Sequence, residues 1–327
     1  MKVLITGISG FAGSHLADFL VAQHPQAWPD VKLFGSVFSL RHAENIKQLE
    51  GKFVSVLCNF DEKQEVFKLI QSTKPDIIFH LAAQSYVSSS WENPEKTLHT
   101  NIIGQSNLLE AIRALRERAY DPIIVIPGSS EEYGQVDLHT NLLNEDAPLR
   151  PLSPYALSKV AQDFMGYQYW KAYGMKIIRL RVFNHTGPRR DPVFGVSGFC
   201  KKVAEIEKGV REPKLEIRDL TAVRDFTDVR DIARAYSLAA QKCVPGDVYN
   251  VCSGQGTSFR QIIDTLLAAT TANDIALVPD PKGIRPTDGG VITGDRTKFT
   301  ETTGWQPEID FLMQTIPDLL EYWRERV

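Results

Sequence analysis

The chain has 327 residues, 43% hydrophobic and 24% charged, with a formal net charge of −3; that suits one large domain, or a large one with a smaller lobe, around a substantial core. The weak charge gives no electrostatic reason to expect nucleic acid or a membrane surface, and Cys58, Cys200, Cys243 and Cys252 are scattered without a Cys-x-x-Cys pair, so neither a metal site nor a disulfide framework is expected. The opening apolar run is too short for a signal peptide and no run of about 18 apolar residues follows, so a cytoplasmic location with no membrane contact is expected.

Residues 2–6 read as a buried strand that breaks into Gly7-Ile8-Ser9-Gly10-Phe11-Ala12-Gly13 ahead of a helical pattern over 14–23. Strand, glycine turn and helix in that order are what a dinucleotide loop requires, because glycines admit a pyrophosphate to the backbone and a helix N-terminus favours its charge. Gly7, Gly10, Phe11 and Gly13 are therefore candidate cofactor contacts, against the alternative of a tight turn with no ligand. A second strand over 31–37 runs into Gly35-Ser36-Val37-Phe38-Ser39-Leu40-Arg41, with no acid before Glu44. An acid there would hold a ribose hydroxyl, whereas its absence beside an arginine suits a 2′-phosphate. NADP(H) is favoured over NAD(H), with Arg41 as the contact; a solvent-facing Arg41 is the other reading.

A third strand over 53–57, a helix over 62–72 and a fourth strand over 76–81 follow, the last running into Ala82-Ala83-Gln84-Ser85. Small residues beyond Leu81 would let a cofactor ribose lie against the backbone at Ala82 and Ala83. Residues 97–118 carry apolar side chains at helical spacing and read as one helix packed on the sheet, with Asn101 bracing the active-site backbone.

The short β-branched run over 123–126, stopped by Pro127-Gly128, reads as a fifth strand, and open α/β sheets place ligands at such carboxyl ends. Ser153 suits an N-cap and Pro154 a first helical turn, so Tyr155 and Lys159 share one face of a helix over 154–173 that ends at Gly174. A phenol titrates near ~10, and a neighbouring ammonium favours the phenolate and lowers that value. Tyr155 then becomes a usable acid or base, and Ser129 completes a Ser/Tyr/Lys set for moving a hydride to or from a carbinol carbon. Tyr-x-x-x-Lys also occurs by chance on exposed helices. A sixth strand over 176–182 ends in Phe183-Asn184-His185-Thr186-Gly187-Pro188-Arg189-Arg190, after which alternation loosens into helices over 199–208, 228–241 and 258–270 and strands over 215–218 and 248–251. The expectation is an α/β, doubly wound parallel sheet over 1–182, with returning segments near 225–255, and a smaller interleaved lobe drawn mostly from 183–327.

With the glycine turn, Ser129 and Tyr155-x-x-x-Lys159 in this order, the chain resembles the extended short-chain dehydrogenase/reductase superfamily over essentially its whole length. More narrowly it resembles the branch acting on GDP-mannose derivatives, on the strings His80-Leu81-Ala82-Ala83-Gln84-Ser85, Gly128-Ser129-Ser130-Glu131-Glu132-Tyr133-Gly134, Phe183-Asn184-His185, Arg224-Asp225-Phe226-Thr227-Asp228-Val229 and Val248-Tyr249-Asn250-Val251-Cys252-Ser253-Gly254. The resemblance implies a Rossmann-type fold, a GDP-sugar substrate and a homodimer or dimer of dimers formed through the helices over 97–118 and 154–173. It implies adenine contacts at Asn59 and Phe60, where the family often has Asp-Leu, and substrate contacts at Ser85, Asn184, Lys202, Arg224 and Arg285. Guanidinium forks suit a diphosphate, although Arg224 could instead pair with Asp225.

Two reactions fit that branch. A 4-keto reductase needs only the Ser/Tyr/Lys set, whereas a 4,6-dehydratase also needs a base for the C5 proton, a position that Glu131 matches. Arg189-Arg190 also looks like the dehydratase. Ser129 in place of the usual Thr, the chain length and the pattern from Arg224 to Gly254 look like the reductase, which is favoured. A catalytically silent dinucleotide-binding relative is the third reading, and the intact Ser129/Tyr155/Lys159 set argues against it.

Overall fold

Strands buried on both faces read as largely apolar runs; seven strands pair in parallel here, all of them largely buried except the edge strand Val54–Leu57. The computed structural model describes residues 1–22, 28, 30–39, 43–116, 120–134, 142–281 and 290–327. Its first half runs β1 (Lys2–Thr6), α1 (Phe11–Ala22), β2 (Lys32–Val37), β3 (Val54–Leu57), α2 (Lys63–Thr73), β4 (Ile77–His80), α3 (Val87–Glu92), α4 (Pro94–Leu98), α5 (Gly104–Arg116), β5 (Ile123–Pro127), α6 (Pro154–Tyr173) and β6 (Lys176–Val182). The second half runs β7 (Asn184–Thr186), α7 (Gly195–Glu207), β8 (Lys214–Ile217), β9 (Val223–Asp228), α8 (Val229–Lys242), β10 (Val248–Val251), β11 (Gly256–Ser258), α9 (Phe259–Ala269), β12 (Ala276–Pro279), β13 (Val291–Ile292), α10 (Thr297–Thr303) and α11 (Ile316–Arg324).

The main sheet has the order β10-β6-β5-β4-β1-β2-β3. Its register sets Val3 beside Ile77, Ile78 beside Ile124 and Leu180 beside Tyr249. The order reverses between β1 and β4, and the crevice outside the strand ends at that point is where such sheets take ligands. On one face Val3, Ile5, Leu16, Leu20, Ile232 and Tyr236 join β1, α1 and α8 in a core; on the other Leu4, Ile78, Leu108, Ile112 and Ile124 bury α5. Each such side chain contributes roughly 1.5–3 kcal/mol by leaving water. The return to this sheet begins at α8 and ends with β10, whereas β9 stays with β7, β11 and β13 in a separate small sheet, and β8 pairs β12. Val203, Leu215, Phe226, Ile262, Phe311 and Leu319 close a core of their own around those strands.

Two helices differ from their expected form. The single helix over 97–118 is α4 and α5 joined by a π turn over His99–Ile103, and it starts earlier because Asn93 caps it with Pro94 behind. The apolar spacing runs through the π turn unchanged, which hides it from a periodicity argument. The helix expected over 199–208 begins at Gly195, where glycine-rich sequence suggests a loop but tertiary packing holds a turn. Among the described residues no helix is long and apolar enough to cross a membrane, and no group of three His, Cys, Asp or Glu side chains could hold a metal ion.

Candidate active site

The site is assembled where β5 ends. Gly128 N–H donates to Leu180 O at 2.5 Å, which turns the chain out of the sheet, and Ser129 then N-caps a single 3-10 turn over Ser130–Glu132. Its hydroxyl accepts the Glu131 N–H at 3.2 Å, and Glu132 Oε1 accepts the Ser129 N–H at 2.7 Å. Facing this turn, Ser153 Oγ accepts the Ala156 N–H at 3.0 Å and Pro154 opens α6, so Tyr155 lies in its first turn. One turn on, Lys159 is buried and its Nζ donates to Pro127 O at 3.0 Å. Ser129, Tyr155 and Lys159 therefore meet at one strand end, as their spacing suggests.

Their electrostatics differ from the expectation. Burial pushes the Tyr155 phenol up to about 12; the Ser129 hydroxyl bonded to it and the Arg190 guanidinium pull the other way, while Glu131 pushes further up. Burial brings the Lys159 ammonium down to about 8, opposed by Glu132. Burial outweighs the lowering that the four-residue spacing predicts, and the cation acting most on Tyr155 is Arg190, while the Lys159 ammonium is held on a backbone carbonyl.

The glycine turn lies beside this set. Gly7 has φ +67° and donates its N–H to Ser36 Oγ at 3.2 Å; a Cβ on Gly13 would stand 2.4 Å from Gly7 O. Only bare backbone lets α1 start this close to the end of β1, and the first-turn N–H groups from Phe11 onward are then free of intrahelical partners, as any helix start is. Ala82 packs against Gly7 and donates its N–H to Thr6 Oγ1 at 2.9 Å, which brings Leu81, Ala82 and Ala83 to the same crevice. At the ends of β2 and β3, which pair at Val37 and Leu57, Phe38 and Leu57 are each 72% exposed, leaving apolar walls for a flat base. Asn59 Oδ1 accepts the Asp61 N–H at 3.1 Å, and Phe60 is a core side chain against His80 rather than an exposed contact. The loop, the apolar walls and the lack of an acid on residues 36–39 fit a dinucleotide. Arg41 lies outside the described residues, as does Arg285.

A cavity of about 360 Å³ opens on the lobe side, lined by Val87, Phe194, Phe199, Lys202, Arg218 and Phe259 among others. Lys202 Nζ lies 2.5 Å from Glu216 Oε2, and Arg218 Nε 2.7 Å from Asp280 Oδ2.

Residues 4–315 match the family model described as GDP-mannose 4,6 dehydratase. The chain belongs to the GDP-mannose 4,6-dehydratase family. It is 30% identical over 327 residues to GDP-6-deoxy-D-mannose reductase of Pseudomonas aeruginosa, covering 100% of this chain and 98% of that one. It is 29% identical over 339 residues to GDP-mannose 4,6-dehydratase of Vibrio cholerae, covering 94% and 90%. The solved structure of RMD from Pseudomonas aeruginosa complexed with NADPH superposes with a TM-score of 0.85 at 29% identity, over 100% of this chain and 99% of that chain.

Within this family member, the residues expected at the substrate do not all face the cavity. Lys202 lines it; Arg224 does not, its Nη1 donating to Val223 O and Gly290 O at 2.9 Å each. Nor is the Asp225 carboxylate held as the partner of Arg224, since it accepts from Ser253 N, Ser253 Oγ, Gly254 N and Gly294 N. Arg218 is the arginine at the cavity wall, and sequence reasoning missed it because nothing local separates the two. Ser85 is exposed on the loop before α3, and Asn184 is half-buried in β7 opposite Phe226.

Arg190 and His185 were also missed as site residues. Arg189 has φ +73°, a left-handed turn that sends the two arginines opposite ways. Arg189 binds Asp18 at 2.5 Å and Asn45 O at 3.1 Å, while the Arg190 guanidinium lies 3.4 Å from the centre of the Phe194 ring and 4.7 Å from that of Phe11. Burial brings Arg190 down to about 10. His185 stacks on Phe11 at 5.9 Å and is held neutral by burial and by Arg190, at about 4. The arginine pair was visible in the sequence as a clue to reaction type; its placement beside Tyr155 was not.

Proposed function

We propose that the chain is an NADP(H)-dependent GDP-4-keto-6-deoxy-D-mannose reductase, with NAD(H) as the lesser cofactor. The observation that carries this is the convergence of Ser129, Tyr155 and Lys159 on the glycine crevice, in a chain that spans a GDP-6-deoxy-D-mannose reductase from end to end. NADPH, when bound along Gly7, Gly10, Phe11, Gly13 and Leu81 to Ala83, supplies the hydride. Tyr155 gives its proton to the C4 oxygen and Ser129 donates a hydrogen bond to the same oxygen, orienting the carbonyl. Tyr155 is left as a phenolate, and the buried positive charges of Lys159 and Arg190 stabilise it until solvent returns the proton. Lys202 and Arg218 line the cavity paired with Glu216 and Asp280, so a sugar diphosphate would take their donors in place of those carboxylates, while Phe194, Phe199 and Phe259 offer apolar surface to its nucleoside.

The second reading is GDP-mannose 4,6-dehydratase, favoured by one observation: Glu131 lies in the turn after Ser129 and its charge raises the Tyr155 phenol, which suits a base for the C5 proton. Residues 1–182 with the return near 225–255 are assigned to dinucleotide binding, and most of 183–327 to the nucleotide sugar. We assign a cytoplasmic homodimer or dimer of dimers, supported by Leu157, Phe164 and Tyr167, which leave an apolar strip of α6 exposed. Incubation with GDP-mannose and NADP, and separately with GDP-4-keto-6-deoxy-mannose and NADPH, tests the choice by product mass. Two added hydrogens in the second reaction support the reductase; loss of water in the first makes the protein a dehydratase.

A further inference from the structure

Two adjacent carboxylates follow Ser129, and the 3-10 turn sends them apart: Glu131 acts on the Tyr155 phenol, whereas Glu132 points into the interior and is 0% exposed. Burying a carboxylate is costly unless its oxygens find partners. Oε1 accepts the Ser129 N–H at 2.7 Å while Ser129 Oγ accepts the Glu131 N–H, a reciprocal cap that fixes Ser129 from both sides. Oε2 lies 3.5 Å from Arg181 Nε and accepts no hydrogen bond among the described residues. Gly128 makes the room, since a Cβ there would stand 2.1 Å from Oε1.

The charged groups around it come from several elements. Asp163 of α6 is already held by Arg179 at 2.5 Å and Arg181 at 2.8 Å, both from β6, and Arg181 also donates to the Tyr133 hydroxyl and to Glu145 O. Arg181 therefore keeps its partners if Glu132 loses its charge. Lys159 of α6 is placed differently: His80 of β4 beside it is kept neutral by burial, at about 3, and the carboxylate acting on its ammonium is Glu132. On the substrate side of the set stand Glu131, Tyr155 and Arg190.

We propose that Glu132 is a positioning residue that holds the Ser129 hydroxyl against the Tyr155 phenol through the reciprocal cap. This rests on the Ser129/Tyr155/Lys159 reading of the site. Burial raises the Glu132 acid to about 8, Asp163 pushes it further up, and Arg181, the Ser129 N–H and Lys159 pull it back, so what the cap requires of Glu132 is an acceptor oxygen rather than a full charge.

The test compares Glu132→Gln, Glu132→Leu and Ser129→Ala in the full-length protein. It measures kcat and KM against pH with NADPH and the 4-keto sugar, NADPH affinity by fluorescence, and thermal unfolding. Glu132→Gln keeps the acceptor for the Ser129 N–H, so kcat should stay within about fivefold of wild type with KM held within about threefold. Glu132→Leu loses the acceptor and should drop kcat about 100-fold, into the range of Ser129→Ala. Glu132→Gln turnover as low as that of Glu132→Leu, or Glu132→Leu turnover near wild type, overturns the proposal. If Glu132→Leu shows no cooperative melt, the Glu132→Gln turnover decides alone. Wild-type turnover in Ser129→Ala would instead bring down the reading of the site itself.

Discussion

The loops that follow β5 and β6 both bring side chains to Tyr155, yet those side chains are held in opposite ways. After β5 the contacts that set Ser129 and the start of α6 are local, Ser129 with Glu131 and Glu132 and Ser153 with Ala156, while the loop between them is tied at Leu143 and Glu145 to Thr293 and Asn250. After β6 they are distant: Arg189 reaches Asp18 and Asn45, 171 and 144 positions away, and Arg190 lies between Phe11 and Phe194. Local caps fix a geometry whatever the rest of the chain does, while distant contacts tie it to the docking of α1. The β5 side is therefore expected to set the chemical step, and the β6 side to couple that step to the cofactor loop.

The largest effect that can break this contrast is on Tyr155. Tyr155→Phe should lower kcat at least ~100-fold with NADPH affinity little changed, whereas Lys159→Ala should reduce both; near-normal turnover in the phenylalanine variant would contradict the assignment. Arg190→Ala should cost about 30-fold in kcat/KM and weaken NADPH binding as well, because it removes a cation near the phenol and the stack on Phe11. Unchanged fluorescence titration by NADPH in that variant would dissolve the distinction between the loops. Glu131→Gln should keep 4-keto reduction within about tenfold, since no C5 carbanion forms; a dehydratase would lose ~100-fold.

A pH series sharpens the comparison on the β5 side. Lys159 has its folded value lowered to about 8, so from there to the ordinary lysine value near ~10.4 the folded chain holds fewer protons than the unfolded one. Stability contributed by this group therefore rises with pH across that window, while kcat, which needs the ammonium, falls. Unfolding midpoints of wild type and Lys159→Met should converge as pH climbs from 8 towards 10; a constant gap would mean that Lys159 is not a buried ammonium. The smallest expected change is Ser153→Ala, a lost cap costing about 1 kcal/mol and lowering the melting temperature by about 1–3 °C.

The same contrast explains what could be read from the sequence. The seven strands, the glycine turn, the N-cap at Ser153 and the αL glycine at Gly174 are local signals, and each lies within a residue or two of its predicted place. Glu131 and Glu132 are neighbours of one type, and only the 3-10 turn decides which faces the phenol and which is buried. Arg190 depends on a left-handed residue and on rings supplied by α1 and the start of α7, and Arg218 differs from Arg224 only in which strand faces the cavity. Those placements follow from packing between distant segments, to which no spacing rule applies.

The most direct measurement follows one atom. With GDP-4-keto-6-deoxy-mannose and NADPH carrying deuterium at its transferable nicotinamide position, a single turnover should place that deuterium on C4 of the sugar, and Tyr155→Phe should slow its arrival at least ~100-fold. Deuterium absent from C4, or arriving at the wild-type rate in Tyr155→Phe, would contradict reduction at C4 with Tyr155 as the proton donor.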